Sequence, residues 1–156
     1  MADTFLGEFI GVPDSSGGGV AMREVYPSAD FSGGGGVTIS PLVSYARRGL
    51  PARSFGRLCE VLDVPRERLA RVVQMPLRTL ARRTVLKPDE SERILRIGRL
   101  YDLACEVLGS PAAARRWLSR PVQALGGAVP LEHADTEPGA REVEDLLGRV
   151  EHGVHS

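Results

Sequence analysis

Residues 67–82 read ERLARVVQMPLRTLAR, and this stretch decides the fold of the middle of the chain. Two short helix-forming runs are separated by a turn that contains Pro76, a residue that ends one helix and readily starts another. The apolar residues that would lock the two helices together are Leu69, Ala70, Val73, Met75 and Leu80. Ala70 is small, which suits a close helix crossing. The stretch therefore predicts two short helices packed around a tight turn.

This pattern resembles a helix-turn-helix, the motif that places its second helix in the major groove of DNA. Arginine on that helix can donate two hydrogen bonds to a guanine edge, and arginine on the first helix can contact phosphates. The side chains that we expect to bind DNA are Arg68, Arg71, Arg78, Thr79, Arg82 and Arg83. The turn position that is commonly glycine in this motif is Gln74 here, which departs from the pattern.

Helical periodicity continues on both sides of this motif, and no segment indicates a strand. Aromatic residues make up only 5% of the chain, so the core must be built from Leu, Val, Ile and Ala. The predicted helices run from Pro41 to Gly49, over Pro51–Asp63, Arg66–Val73 and Pro76–Arg83, from Pro88 to Gly109, and over Ser110–Ser119 and Pro138–Glu151. We therefore predict an all-α fold.

Charge is distributed unevenly although the formal net charge is zero. Residues 47–120 hold 17 Lys and Arg against eight Asp and Glu, whereas the segments before and after are acidic. A basic middle between acidic ends favours a module that binds a polyanion such as DNA. The alternative is that these arginines only form a hydrated surface on the helices and bind no partner.

Residues 1–36 contain the glycine runs 17–19 and 33–36. Such runs lose much backbone entropy on ordering, so we predict a flexible arm. A phosphate-binding loop is not indicated, because no Gly-Lys-Ser/Thr follows either run.

The C-terminal third carries a distinctive array. Residues 116–131 read RWLSRPVQALGGAVPL and residues 146–154 read LLGRVEHGV. Their order and spacing resemble the C-terminal toxin-binding domain of the Xre/MbcA/ParS antitoxin family, and the helix-turn-helix fits the same family. The resemblance covers about residues 40–156. It divides the chain into an arm (1–36), a helix-turn-helix domain (37–87) and a helical toxin-binding domain (88–156).

The resemblance implies a cognate toxin with a RES domain, which attacks NAD or uses it to ADP-ribosylate a target. The family's antitoxins cover the toxin's active-site pocket with their C-terminal region, and the complex represses its own operon, usually with paired antitoxin chains. We thus expect operator DNA, a RES-domain toxin and a second copy of this chain as partners.

The end of the chain would make the contact with the toxin. An apolar helix face would dock in a groove, and an acidic tail would enter a pocket built for a dinucleotide phosphate. The residues predicted to bind the toxin are Leu146, Leu147, Arg149, Val150, Glu151, His152, Gly153, Val154, His155 and Ser156. Two alternatives remain: a stand-alone regulator whose C-terminal helices only dimerise, and an adaptor that does not bind DNA.

Nothing in the sequence indicates catalysis. Cys59 and Cys105 lie on apolar helix faces, where a thiolate is disfavoured, and no Cys/His spacing suits zinc. We expect a non-enzymatic protein without a cofactor or metal. The sequence also lacks a signal peptide pattern and an apolar run of the ~20 residues that a bilayer crossing needs, so we expect a cytoplasmic protein with no membrane partner.

Overall fold

The structure, a computed structural model, describes residues 47–151 and 153. Across these residues it is helical, and the only strand-like feature is one isolated antiparallel bridge, which confirms the all-α prediction. The α-helices are α1 (Arg53–Leu62), α2 (Arg66–Val72), α3 (Leu77–Leu80), α4 (Pro88–Leu108), α5 (Pro111–Leu118), α6 (Pro130–His133) and α7 (Glu137–Glu151). A 3-10 turn spans Gln123–Leu125.

The helix ends follow the signals in the sequence. The hydroxyl of Ser110 accepts a hydrogen bond from the Ala113 amide at 3.1 Å and caps α5. Glu90 accepts one from the Lys87 amide at 2.8 Å at the start of α4. Gly109, with φ of 81°, ends α4 in the left-handed conformation that glycine adopts without steric cost.

The long helix α4 is the centre of the molecule. It packs against α1 on the helix-turn-helix side and against α5 and α7 on the other. The fully buried side chains include Phe55 and Leu69 from the first part of the chain and Leu100 and Leu131 from the second. All of them belong to one hydrophobic cluster, so the core continues across the predicted domain boundary at residue 87.

The bridge between Pro51 and Val85 was not expected from the sequence. The Leu86 amide donates to the Leu50 carbonyl and the Ala52 amide donates to the Thr84 carbonyl, both at 2.8 Å. The two chain segments meet closely at Gly49, where an added Cβ would clash with the Leu86 carbonyl oxygen.

This bridge explains one wrong prediction. The helix expected over Pro76–Arg83 covers only Leu77–Leu80, followed by a turn. The residues beyond Arg83 are drawn into extended pairing with the segment before α1, and the β-branched Thr84 and Val85 suit that conformation.

Two short elements, α6 and the 3-10 turn, lie between Ser119 and Pro138, where no helix was predicted from the sequence. The start of the helix predicted before Gly49, and the arm over residues 1–36, lie outside the described residues. The predicted end of that helix is present, because Arg47 and Arg48 are helical and Gly49 has φ of 91°.

Candidate DNA and partner interfaces

The helix-turn-helix forms as the apolar pattern predicts. The five residues expected to lock its helices are all buried: Leu69, Ala70, Val73, Met75 and Leu80. The turn closes through the Met75 amide, which donates to the Ala70 carbonyl at 2.8 Å. Burial of these side chains fixes α3 against α2 and leaves the opposite faces of both helices in solvent.

Gln74 adopts the left-handed backbone conformation that the turn requires, with φ of 52°. A residue with a Cβ carries a cost of about 1 kcal/mol in this region, which the packing around the turn has to offset. The departure from glycine therefore does not prevent the turn.

Four of the predicted DNA-binding residues lie on the accessible surface of the motif. Arg71, Arg78 and Arg82 are exposed. Thr79, which follows Arg78 in the sequence, is half-buried. Within the part of the chain that the structure describes, none of these three arginines forms an ion pair. Three unpaired guanidinium groups around a short helix give a surface that can contact a phosphate backbone and base edges.

Arg83 is placed differently. Its guanidinium lies 2.8 and 2.9 Å from the two carboxylate oxygens of Glu90, whose side chain is only 10% exposed. Because Glu90 also accepts from the Lys87 amide, this pair connects the end of the helix-turn-helix to the first turn of α4. The structure thus gives Arg83 a structural contact in place of a free guanidinium.

Arg68 is likewise engaged. Its Nε lies 3.1 Å from Oε1 of Glu132 in α6, and its Nη2 approaches the Ser119 carbonyl at 3.5 Å. The partners are 64 and 51 residues away in sequence. Arg68 therefore connects the helix-turn-helix to the C-terminal part of the molecule.

Two residues of the predicted toxin-binding face of α7 are buried within the chain itself. Leu147 is fully buried and Leu146 is 8% exposed. An amphipathic pattern shows that a face is covered but not by which molecule, and here α4 and α6 lie against α7.

The accessible part of the prediction is the end of α7. Arg149, Val150 and Glu151 are exposed, and Gly153 follows in a turn with φ of 65°. Val150 is one of two large apolar residues that are exposed within the described part of the chain. The remaining predicted tail residues, His152, Val154, His155 and Ser156, lie outside the described residues.

A groove between α6 and α7 was not predicted from the sequence. It is open to solvent, has a volume of about 600 Å³ and is lined by Gly127, Ala128, Val129, Glu132, His133, Asp135, Thr136, Pro138, Gly139 and Glu142. His133 Nε2 lies 2.7 Å from Glu142 Oε2 across it. Most of its lining residues lie between Ser119 and Pro138, a stretch without a predicted helix.

Three of the buried titratable groups, Tyr101, Asp102 and Cys105, are neighbours on α4, where Tyr101 and Cys105 share a hydrogen bond. Burial raises the pKa of the Cys59 thiol to about 11 and also raises that of Cys105, as the apolar helix positions led us to expect. Burial alone raises the pKa of Asp102 to about 8, because both carboxylate oxygens are inaccessible and have no hydrogen-bond partner.

Among residues 47–151 and 153, no three or more His, Cys, Asp or Glu side chains are grouped so that they could hold a metal ion. Over the same residues, none of the helices combines the length and apolar composition that a bilayer crossing requires.

Comparison with known proteins identifies the two halves. Residues 103–153 match the model described as the Antitoxin Xre/MbcA/ParS C-terminal toxin-binding domain, and residues 41–99 match the Antitoxin Xre-like helix-turn-helix domain. Antitoxin Xre of Yersinia enterocolitica is 41% identical over 99 residues, which cover 60% of this chain and 67% of that protein. The chain belongs to the Xre/MbcA/ParS antitoxin family.

Two other relatives extend this match. Antitoxin Xre of Photorhabdus laumondii is 34% identical over 113 residues, covering 69% of this chain and 76% of that protein. A Sphingobium protein named Prs ADP-ribosylating antitoxin is 24% identical over 125 residues, covering 72% and 79%. The chain is therefore an antitoxin-family protein with a helix-turn-helix and a toxin-binding domain, and the latter contains both the groove and the exposed end of α7.

Proposed function

We propose that this chain neutralises a RES-domain toxin by covering its active-site pocket, and represses its own operon by binding operator DNA. In this proposal it acts by binding and not by catalysis, needs no cofactor, and works in the cytoplasm. Paired copies would read two half-sites of the operator, since two helix-turn-helix motifs reach successive turns of the major groove.

The observation that carries the proposal is the exposed end of α7 inside the region that matches the toxin-binding domain. The helix continues for four residues past Leu147, the last buried side chain, and presents Arg149, Val150 and Glu151 to solvent. A pocket that binds the phosphates of a dinucleotide carries positive charge, so an acidic residue on a narrow projecting segment suits it.

The exposed Arg71, Arg78 and Arg82 support the DNA-binding part of the proposal. The Sphingobium relative has ADP-ribosylation in its name, which agrees with a toxin that uses NAD. The alternative is a regulator whose C-terminal helices only dimerise, and the apolar face of α7 is not free for that contact. The chain's own core already covers that face.

Co-expression with the product of the neighbouring reading frame tests the proposal. We expect that product to stop growth and the full chain to restore it. Deleting residues 151–156 should abolish the rescue while the melting temperature stays within a few degrees, because Glu151 and Gly153 are exposed and make no core contact.

Deleting residues 1–36 is the matched control, since it removes a segment outside both family matches. We expect this variant to rescue growth like the full chain. Full rescue by the variant without residues 151–156 would contradict the capping model, and a harmless neighbour that does not co-purify would contradict the antitoxin role.

A further inference from the structure

The groove between α6 and α7 has a fixed shape. Gly139 in the first turns of α7 approaches the His133 carbonyl so closely that an added Cβ would clash with it. The Gly139 amide donates to Thr136 Oγ1 at 3.3 Å, and the His133–Glu142 pair joins the two helices across the groove. The close backbone approach at Gly139 therefore sets the spacing of α6 and α7 at the base of the groove.

The lining combines apolar walls with carboxylates. Ala128, Val129 and Pro138 contribute apolar surface, while Glu132 and Glu142 contribute side chains that are 53% and 64% exposed even though each is paired. Asp135 adds a third carboxylate, and its side chain has no ion pair within the described part of the chain. This lining matches a side chain with an apolar stem and a cationic head, which is the chemistry of arginine and lysine.

We propose that this groove receives an arginine or lysine side chain of the toxin, as a second contact beside the end of α7. The inference rests on the proposed function, because it takes the toxin as the occupant. The groove lies within residues 103–153, the part that matches a toxin-binding domain.

The surface of α7 connects the two contacts. Pro138, Glu142, Asp145 and Arg149 are exposed and follow one another at intervals of four, three and four residues, which places them along one line of the helix. At a rise of 1.5 Å per residue, Glu142 lies about 14 Å along the helix from Glu151. One toxin surface can therefore contact the groove and the end of α7 at the same time.

The test compares two double variants. Asp135→Asn with Glu142→Gln removes two groove charges and leaves Glu132, and with it the Arg68 pair, intact. Glu106→Gln with Glu144→Gln is the matched control, because it removes the same charge from α4 and α7 at positions that do not line the groove. The probe is an inactivated form of the neighbouring frame's product, titrated at low and high salt, with melting temperatures measured for each variant.

We expect the groove variant to bind about tenfold more weakly at low salt and to lose part of its salt dependence, since two carboxylates that would face the toxin's cationic side chain are removed. The control variant should bind within about twofold of the unmodified chain, because the two carboxylates that it removes lie outside the proposed contact.

Equal binding by the groove variant and the unmodified chain would overturn the inference and leave the capping model standing. Equal weakening of both variants would overturn it too, because it would show a general charge effect. A change in self-association without a change in toxin affinity would show that the groove receives a second copy of this chain. Failure of the unmodified chain to bind the probe would remove the proposed function and the groove contact together.

Discussion

Two regions of the molecule share one core but differ in surface. Residues 47–87 hold eleven Arg and Lys against three Asp and Glu, whereas residues 88–153 hold eight against twelve. The first region leaves guanidinium groups free around a short helix, and the second presents carboxylates around a groove. One chain can thus offer surfaces for oppositely charged partners without dividing its hydrophobic core.

The regions are also held together by charge, because Arg68–Glu132 and Arg83–Glu90 each pair a base of the first with an acid of the second. Two of the six arginine and threonine residues expected at DNA are thereby engaged inside the molecule. Substitutions in one region can show whether its stability or binding changes independently of the other region.

The largest effect should come from Gly139→Ala. An added Cβ would lie 1.9 Å from the His133 carbonyl oxygen, so α6 and α7 would have to separate. We expect a loss of about 3 kcal/mol in the free energy of unfolding, measured by urea denaturation. Gly148→Ala on the same helix is the control, because nothing lies within 4 Å of the added atom. If both variants are equally stable, α7 does not approach α6 as described.

The next effect is a pH dependence from Asp102, whose pKa rises from 3.8 to about 8 on folding. Because the folded state favours the protonated acid, stability is highest below the unfolded pKa and falls as the pH rises towards 8. Between pH 5 and 8 we expect a loss of up to about 2 kcal/mol, reduced from the ideal value by the partial exposure of the residue.

Asp102→Asn should flatten this part of the stability profile, which thermal melts across the pH range would measure. Asp89→Asn on the same helix, at an exposed position, should leave the profile as it is. A wild-type profile that is level between pH 5 and 8 would contradict the buried, unpaired state of Asp102.

A change of comparable size is expected in the free energy of DNA binding when arginines of residues 47–87 are replaced. Arg78→Ala or Arg82→Ala should weaken operator binding by about 1–3 kcal/mol where a base contact is lost. Arg116→Ala, an exposed arginine of the second region, should bind as the unmodified chain does. Quantitative gel-shift titrations would measure this, and equal binding by all three variants would show that α3 does not read DNA.

The smallest effect should come from Glu132→Gln, which removes the acidic partner of Arg68. If the freed guanidinium reaches a phosphate, the slope of log K against log salt should become steeper by about 0.9 for each added contact. Arg68→Gln should not show that change. An unaltered slope in the Glu132 variant would mean that Arg68 acts only as a connection between the two regions.

The sequence was sufficient for features that depend on near neighbours. Apolar periodicity predicted α1, α2, α4, α5 and α7, and the glycines at 49 and 109 end helices where expected. The helix over Pro76–Arg83 was predicted too long, because Ala81 and Arg82 are compatible with helix and the competing Leu50–Leu86 pairing spans 36 residues.

Features that depend on distant residues were not predictable from the pattern. No local signal marks Glu132 as the partner of Arg68, since 64 residues separate them. The burial of Leu147 by this chain's own helices was not predicted, because amphipathicity does not reveal what covers a face. The groove depends on a close approach of backbone at Gly139, a contact that exists only in the folded chain.

The continuous core has a consequence for the lifetime of the protein in a cell. Side chains from Leu50 to Leu147 belong to one cluster, so neither region has a separate interior that would persist when the other opens. A ligand held by either surface lowers the population of open molecules that a protease can cleave. We therefore expect a ligand bound at one surface to slow proteolysis of the other as well.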